Sequence, residues 1–381
     1  MKKILLVCYG GGHCRIIYKI YVKLKLNNNL EISILACTTA IPFFQKLNIK
    51  IFTFKDFLYI NKKKALHYGN ILKSRYHNEI SGINVDESIA YLGLSFYDLT
   101  KKYSVISSYK RMIKYGRHAF NQTYILNIII NKINPVAIIS TNSPKAEKSA
   151  ISIGNSLSIP TMQISDLFST NELFTLNAKK ICCFSNESKT NLISKGICEN
   201  KIIVTGNPVF DDIKYSKRKK PYKNILWGSN IKICEKDIKL LNHIICNLTD
   251  SQLYIRFHPS VEYCSNYKLV LDMIRENNII NATHYDELEL ISRIDVSYSG
   301  PSTIALSCVL SGCIVYIYNN SDLQNVLPLV EYGYCEGLKV FNNFTISYDY
   351  IDNYNIDIEK LISHKNNNAT QSICVEIENM I

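Results

Sequence analysis

The sequence predicts an α/β protein made of two doubly wound units in tandem, each with a mostly parallel sheet covered by helices on both faces. One observation is the length, because 381 residues exceed a single ordinary core and suit two domains of roughly 150–200 residues. Another is that apolar strands alternate with helical patterns along both halves. A third is the charged segment Ile213–Lys223, which contains a proline and separates the two alternating series.

The first half opens with an apolar strand at Lys3–Cys8 and a helix at His13–Leu26, whose apolar residues recur at helical spacing. Five further strands are predicted from apolar runs: Ile32–Cys37, Ile49–Phe54, Val136–Ser140, Thr161–Ile164 and Lys180–Phe184. Two further helices are predicted over Met112–Lys132 and Lys145–Leu157. The Tyr-rich stretch from Lys55 to about Ser108 shows no regular pattern.

A second series of strands and helices begins after a linker over residues 211–223. Its predicted strands are Asn224–Trp227, Leu253–Phe257, Ile294–Tyr298 and Ile314–Tyr318. Its predicted helices are Ile231–Leu248, Leu269–Asn277 and Ser302–Leu310. We therefore expect a first domain over residues 1–210 and a second over 224–381, with the tail packing back on the first. Doubly wound sheets bind ligands beyond the carboxyl ends of their strands, so we expect both units to face one cleft.

The charge balance and the cysteines narrow the class of protein. A net charge of +12 suits an anionic ligand or an anionic membrane surface, although AT-rich coding DNA would also enrich lysine. The sequence has no block of five or more basic residues beside aromatic residues, so it does not indicate nucleic-acid binding. The thirteen cysteines lack CxxC spacing, which predicts free thiols in a reducing cytoplasm and no metal site. No apolar stretch reaches the ~18 residues of a membrane span, so we expect any membrane association to be peripheral, at the inner face.

The segment Gly10-Gly11-Gly12-His13 lies between the first strand and the first helix. Glycines allow a tight turn close to a ligand, and a helix N-terminus offers N–H groups to an anion, so Gly11 and Gly12 are candidate phosphate contacts. The spacing differs from the GxGxxG of a dinucleotide site. His13 is the candidate general base for an acceptor hydroxyl or water. The alternative is a tight turn with a capping histidine.

The segment Arg256-Phe257-His258-Pro259 ends a strand of the second half. Pro259 stops the strand, so Arg256, His258 and Pro259 are expected to border a site for phosphate oxygens or ribose hydroxyls. The alternative is a strand end with a histidine that faces solvent.

The segment Ser297–Thr303 joins a strand to a helix through a Gly-Pro turn. Ser299, Gly300, Ser302 and Thr303 are expected to offer hydroxyl and N–H groups to a second phosphate contact, unless Ser302 is only a helix cap.

Four weaker candidates follow other strands. Gly228 and Ser229 follow the first strand of the second half and are placed to approach the same phosphate. Asn142 and Asp166 end strands in the first half, on the expected acceptor side.

Together these segments resemble the GT-B glycosyltransferase superfamily and its hydrolase and epimerase relatives. The glycine loop with His13 resembles that of the lipid-linked N-acetylglucosaminyltransferase of peptidoglycan synthesis. It also resembles the UDP-sugar hydrolases of pseudaminic acid synthesis, in which the equivalent histidine is catalytic. Val204–Pro208 resembles the V-x-G-N-P stretch before the interdomain linker. The segments ending in Pro259 and Thr303 resemble motifs of bacterial sialyl-, Kdo- and glycerophosphate-transferases that hold the donor phosphate.

The resemblance implies a GT-B fold, with two Rossmann-like domains that bind the acceptor on the first and the donor on the second. The implied activity moves a sugar from a UDP- or CMP-linked donor to a glycan or lipid-linked acceptor in bacterial surface polysaccharide synthesis, without cofactor or metal. The alternatives are an epimerase or hydrolase of the UDP-N-acetylglucosamine 2-epimerase type and a non-catalytic nucleotide-sugar binding subunit.

This sequence departs from the family pattern at three points. The helix over Ile304–Val309 lacks the glutamate that holds the donor ribose in many members. The carboxylate cluster of the epimerases is missing. The acidic base motif of several sialyltransferases is also missing, unless Asp86 or Asp166 replaces it.

Overall fold

The chain forms two compact α/β units. The computed structural model describes residues 1–77, 82–165, 168–169, 176–248, 250–258, 261–300, 302–318, 329–331, 335–338 and 368–381. The first unit comprises Met1–Asp211 together with Asn368–Ile381, and the second comprises Asp212–Asn367. The boundary lies at the start of the predicted linker, and the last residues of the chain belong to the first unit.

The first unit contains a parallel sheet whose described strands number six, in the order β2-β1-β3-β4-β5-β6. The strands are β1 (Lys2–Cys8), β2 (Leu30–Ala36), β3 (Ala137–Thr141), β4 (Thr161–Ile164), β5 (Lys180–Cys183) and β6 (Ile202–Val204). Successive side chains of β1 point to opposite faces, so Leu5 and Val7 join one core whereas Ile4, Leu6 and Cys8 join the other. The sheet is therefore buried on both faces.

Helices cover both faces of this sheet. They are α1 (His13–Leu24), α2 (Ala40–Lys46), α3 (Lys62–Tyr76), α4 (Val85–Lys102), α5 (Val105–Tyr115), α6 (Thr123–Ile133), α7 (Ala146–Ser156), α8 (Asn186–Ser194) and, after the second unit, α13 (Ala369–Glu378). The core with α1 and α2 includes Ile373, Cys374 and Ile377 of α13.

The second unit repeats the architecture, with described strands in the order β12-β11-β10-β7-β8-β9, all parallel. The strands are β7 (Asn224–Gly228), β8 (Gln252–Arg256), β9 (Ile280–Asn281), β10 (Val296–Ser299), β11 (Ile314–Tyr318) and β12 (Glu336–Leu338). The helices are α9 (Glu235–Cys246), α10 (Ser265–Glu276), α11 (Glu287–Arg293) and α12 (Thr303–Ser311). Trp227 lies fully buried in its core.

The structure corrects three predictions in the first unit. The segment predicted as a strand over Ile49–Phe54 forms only one isolated bridge, from Phe52 to Leu35. A 3-10 helix over Phe54–Ile60 follows, because Thr53 and Asp56 form a capping box there.

The stretch from Lys55 to about Ser108, for which no regular pattern is predicted, contains α3, all of α4 and the start of α5. The single helix predicted over Met112–Lys132 is interrupted instead. Gly116 adopts a φ of 54° and starts a 3-10 helix over Gly116–Ala119, so α5 ends before α6 begins.

The cysteines and helix lengths complete the description. All thirteen cysteines are free thiols, and most are buried. Among the described residues, no helix combines the length and apolarity needed to cross a membrane.

Candidate functional site

The chain turns sharply between β1 and α1. Gly10 and Gly11 have φ angles of 143° and 65°, and a Cβ on Gly10 would lie 2.0 Å from Thr39 Oγ1. Only glycine therefore fits at position 10. The Gly11 N–H donates to Thr39 Oγ1 at 3.1 Å, and Gly11 and Gly12 lie exposed at the start of α1.

A pocket of ≈ 480 Å³ opens over this turn, a volume typical of small-molecule sites. It is lined by Tyr9, Gly10, Gly11, Gly12, His13, Thr39, His118, Ser143, Pro144 and Lys145. The Lys145 ammonium lies 4.2 Å from the centroid of the Tyr9 ring. His13, the first residue of α1, is half-buried in this pocket, where the sequence predicts the general base.

A fully buried carboxylate, Glu147, lies behind the glycine turn. Its Oε1 accepts a hydrogen bond from the Tyr9 N–H at 2.8 Å. Burial raises the pKa of Glu147, whereas the charge of His13, the Tyr9 N–H and the hydroxyls of Ser143 and Thr141 lower this pKa. Glu147 therefore lies close enough to His13 for the two groups to interact electrostatically.

Sequence reasoning missed Glu147, although it predicted helix α7. A glutamate in the first turn of a helix is ordinarily explained by the helix dipole. The available signal was its position in the first turn of the helix that follows β3.

The two predicted acceptor-side residues have different outcomes. Asn142 lies buried directly after β3, and its Oδ1 has no hydrogen-bond partner among the described residues. It is adjacent in sequence to Ser143, which lines the pocket. Asp166 falls outside the described residues.

In the second unit, β8, β7 and β10 are neighbours, so their carboxyl ends lie side by side. Gly228 pairs with Ser299 on one side and with Arg256 on the other. The Ser229 N–H donates to the Arg256 carbonyl at 3.0 Å, and the His258 N–H donates to Ser229 Oγ at 2.9 Å. The candidate residues after β7 and β8 are thus connected directly.

Two glycines let side chains approach closely at these strand ends. A Cβ on Gly228 would lie 2.9 Å from Ser299 Oγ, and a Cβ on Gly300 would lie 1.8 Å from Asn230 Oδ1. Asn230 is only 4% exposed, and its Nδ2 has no hydrogen-bond partner among the described residues. A ligand oxygen is one kind of acceptor that a buried amide donor of this kind can bind.

The N-terminus of α12 completes this edge of the sheet. Ser302 caps the helix by accepting from the Ala305 N–H at 3.4 Å, and Thr303 is exposed in its first turn. A helix start carries positive potential that favours an anion. Burial lowers the pKa of the half-buried His258, which favours the neutral imidazole and one ring N–H donor.

Two predicted side chains are engaged by the protein itself. The buried Ser299 hydroxyl shares a hydrogen bond with Ser297 Oγ at 2.9 Å. The Arg256 Nη1 donates to the Tyr285 carbonyl at 3.0 Å and the Ala282 carbonyl at 3.5 Å. Pro259 falls outside the described residues.

The structure therefore brings eight of the predicted residues to neighbouring strand ends: Gly228, Ser229, Arg256, His258, Ser299, Gly300, Ser302 and Thr303. Within the part of the chain that the structure describes, no three His, Cys, Asp or Glu side chains are grouped as metal ligands would be.

Comparisons with known proteins found matches in structure but none in sequence family. No protein-family model matches the chain, and no curated protein matches it significantly. Solved structures match along nearly its whole length.

A Listeria monocytogenes protein, provisionally named a UDP-N-acetylglucosamine 2-epimerase, has a TM-score of 0.62 at 11% identity, covering 99% of this chain and 96% of its own. MnaA of S. aureus, solved with UDP, has a TM-score of 0.59 at 14% identity, covering 100% and 98%. MurG of Acinetobacter baumannii has a TM-score of 0.58 at 12% identity, covering 100% of both chains. The chain therefore has the GT-B type of fold that the sequence predicts.

Proposed function

We propose that the protein binds a nucleotide-activated sugar on its second unit and transfers the sugar to a glycan or lipid-linked acceptor. The observation that carries this proposal is the set of donors at the strand ends of the second unit. Ser229, Asn230, His258 and the start of α12 offer hydroxyl, amide, imidazole and backbone groups. Such groups bind phosphate oxygens and stabilise a nucleotide leaving group.

A UDP-linked donor is better supported than a CMP-linked one. Proteins with the same fold have been solved with UDP and, in Neisseria meningitidis, with UDP-GlcNAc. That likeness concerns the fold, so the choice of nucleotide remains part of the proposal.

His13 and Glu147 supply the base in this proposal. The imidazole takes the proton of the acceptor hydroxyl as the glycosidic bond forms, and the buried carboxylate stabilises the resulting imidazolium. Asn142 and the exposed backbone of Gly12 are proposed as further contacts in the same unit.

A second candidate is epimerisation or hydrolysis of UDP-N-acetylglucosamine. Several proteins with this fold carry the epimerase name, including those of Methanocaldococcus jannaschii and Neisseria meningitidis. Transfer is favoured because the first unit holds two adjoining pockets, which share His118 and Pro144 as lining residues. A transferase needs room for an acceptor besides the donor, whereas an epimerase does not.

We also propose a peripheral contact with the cytoplasmic face of an anionic membrane. Helix α5 exposes Ile106 and Ile113, which are 70% and 62% exposed, beside Lys110 and Lys114. Exposed apolar residues flanked by lysines are typical of helices that lie in a membrane interface. A lipid-linked acceptor would be reached from that position.

The function is tested by incubating the full chain with a panel of UDP- and CMP-sugars, with and without a bacterial lipid extract as acceptor. Nucleotide release is measured enzymatically, and the sugar is followed by NMR. Release that requires the extract supports transfer. A new epimer, or release without extract, supports the second candidate. Binding without turnover in every mixture contradicts an enzyme and supports the binding subunit.

A further inference from the structure

The larger of these two adjoining pockets has a volume of ≈ 730 Å³. Residues from α4 to α7 line it, including four cations: Lys101, Lys102, Arg111 and Lys148. Among the described residues that line it, Asp98 alone is acidic. The pocket is therefore strongly basic, and the proposed transfer reaction does not by itself explain why.

Aromatic rings hold two of these cations. The Arg111 Cζ lies 4.4 Å from the Tyr103 centroid and 5.8 Å from the Tyr115 centroid. The Lys101 Nζ lies 4.9 Å from the Tyr97 centroid and 5.1 Å from the Tyr124 centroid. A ring positions a cation without cancelling its charge, so the positive potential remains available to a ligand.

The single carboxylate does not neutralise this charge. The Asp98 Oδ2 accepts the backbone N–H of Ile125 at 2.8 Å and is committed to the first turn of α6. Among the described residues, neither Lys101, Lys102 nor Arg111 forms a salt bridge. A pocket in which one carboxylate faces four cations is suited to a ligand that brings negative charge.

Arg111 carries the most specific sign of a missing ligand. Its Nε is buried and has no hydrogen-bond partner among the described residues. Phosphate oxygens accept hydrogen bonds from guanidinium N–H groups, so a phosphate would satisfy this buried donor.

We infer that this pocket binds a phosphate or pyrophosphate group of the acceptor. Four cations against one carboxylate match a multiply charged anion better than a single carboxylate. Because this pocket and the His13 pocket share His118 and Pro144, an anion bound in one directs the attached sugar toward the other. The identity of the ligand as an acceptor rests on the proposed function, whereas anion binding itself does not.

Isothermal titration of the full chain with inorganic pyrophosphate tests the inference. Arg111→Gln removes the charge and is expected to weaken binding about tenfold to a hundredfold, the effect of losing a hydrogen bond to a charged group. Arg75→Gln is the matched control, since Arg75 also lies over a tyrosine ring, 5.8 Å from the Tyr76 centroid, but outside the pocket. We expect it to bind as the native protein does.

Two more variants keep the test decisive. Lys102→Gln changes an exposed lysine of the same pocket, so it reports on the site even if Arg111→Gln folds poorly. His258→Ala affects the second unit alone. Native affinity in both pocket variants, with binding lost in His258→Ala, would overturn the inference, because the anion would then bind in the second unit. Loss in the pocket variants without any nucleotide-sugar binding or turnover would uphold the anion site and refute the proposed function.

Two further probes separate the sources of the phosphate. Geranyl pyrophosphate represents a lipid-linked acceptor, and N-acetylglucosamine 1-phosphate represents a soluble sugar phosphate. Tighter binding of the first, sensitive to Arg111→Gln, supports a lipid-linked acceptor. Tighter binding of the second, with the same sensitivity, supports a soluble one. Binding of neither would overturn the inference.

Discussion

His13 begins α1 behind the glycine turn and lines the smaller pocket of the first unit. As the proposed base it acts in the transition state, so its loss should lower turnover without weakening donor binding. We expect His13→Ala to reduce kcat about 10²–10⁴-fold, the usual effect of removing a general base. The nucleotide dissociation constant, set by the second unit, should stay within about twofold of the native value.

Glu147→Gln serves as the comparison for this variant. It keeps an oxygen for the Tyr9 N–H but removes the charge beside His13, so a smaller loss of kcat is expected. Near-native turnover in His13→Ala would mean that the base is elsewhere, with Asp166 or Asp86 as the next candidates. Asp86 pairs with Lys55 at 3.2 Å on the surface. Loss of nucleotide binding would mean that the glycine turn belongs to the donor site.

Asp98 makes the stability of the fold depend on pH. Burial raises the pKa of Asp98 from 3.8 to about 6, although the backbone N–H groups of Ile125 and Tyr124 and the charge of Lys101 oppose this. Because the pKa of Asp98 is higher in the folded state than in the unfolded state, the protonated carboxyl stabilises the fold. This contribution is complete at pH values below the unfolded pKa and is lost as the pH rises through about 6. We therefore expect the stability of the native chain, relative to Asp98→Asn, to fall by about 2–3 kcal/mol between pH 4 and pH 7. Urea unfolding across that range measures it, and a constant difference would contradict the assignment.

At the scale of elements, α5 exposes two isoleucines to solvent. If Ile106 and Ile113 enter a membrane interface, replacing both with aspartate should abolish sedimentation with vesicles that contain anionic lipid. Ile71→Asp is the control, because Ile71 is a 47% exposed isoleucine on α3 of the same unit. Equal sedimentation of the double variant and the control would remove α5 as the contact.

Strands with an apolar run were predictable from sequence, whereas a helix that is buried on all sides was not. The strands β1, β3, β4, β7, β8, β10 and β11 coincide with apolar runs within one or two residues. Helix α4 has no polar face over Ser88–Leu99, so it lacks the periodicity that marks an amphipathic helix. It packs closely on α3, because a Cβ on Gly93 would lie 1.8 Å from the Ala65 carbonyl oxygen. That contact is a property of the pair and is invisible in either segment.

The candidate site divides in the same way. The glycine turn, His13 and the groups after β7, β8 and β10 follow strand ends that the sequence shows directly. Glu147 was missed because its partner Tyr9 is 138 residues away, and the basic pocket was missed because its cations come from three separate helices. Spacing along the chain reports local geometry only.

At the scale of the molecule, the two units predict separate responses to nucleotide. If UDP binds the second unit alone, a concentration 100 times the dissociation constant stabilises that unit by about 2.7 kcal/mol. Hydrogen exchange should then slow over residues 228–230 and 302–311 and stay unchanged over residues 10–14. CMP provides the comparison for base preference. Equal slowing in the glycine turn would contradict the division of ligands between the units.

The final helix, α13, has a consequence for how the protein is made. Its Ile373 and Ile377 are fully buried in the core that contains α1, and Asp211 accepts the N–H groups of Ala369 and Thr370 at its start. During translation the first unit therefore waits, with that part of its core uncovered, while the whole second unit emerges from the ribosome. At ordinary elongation rates this interval is on the order of ten seconds. The second unit is continuous in sequence and has all its residues first, so it is the N-terminal unit that finishes folding last.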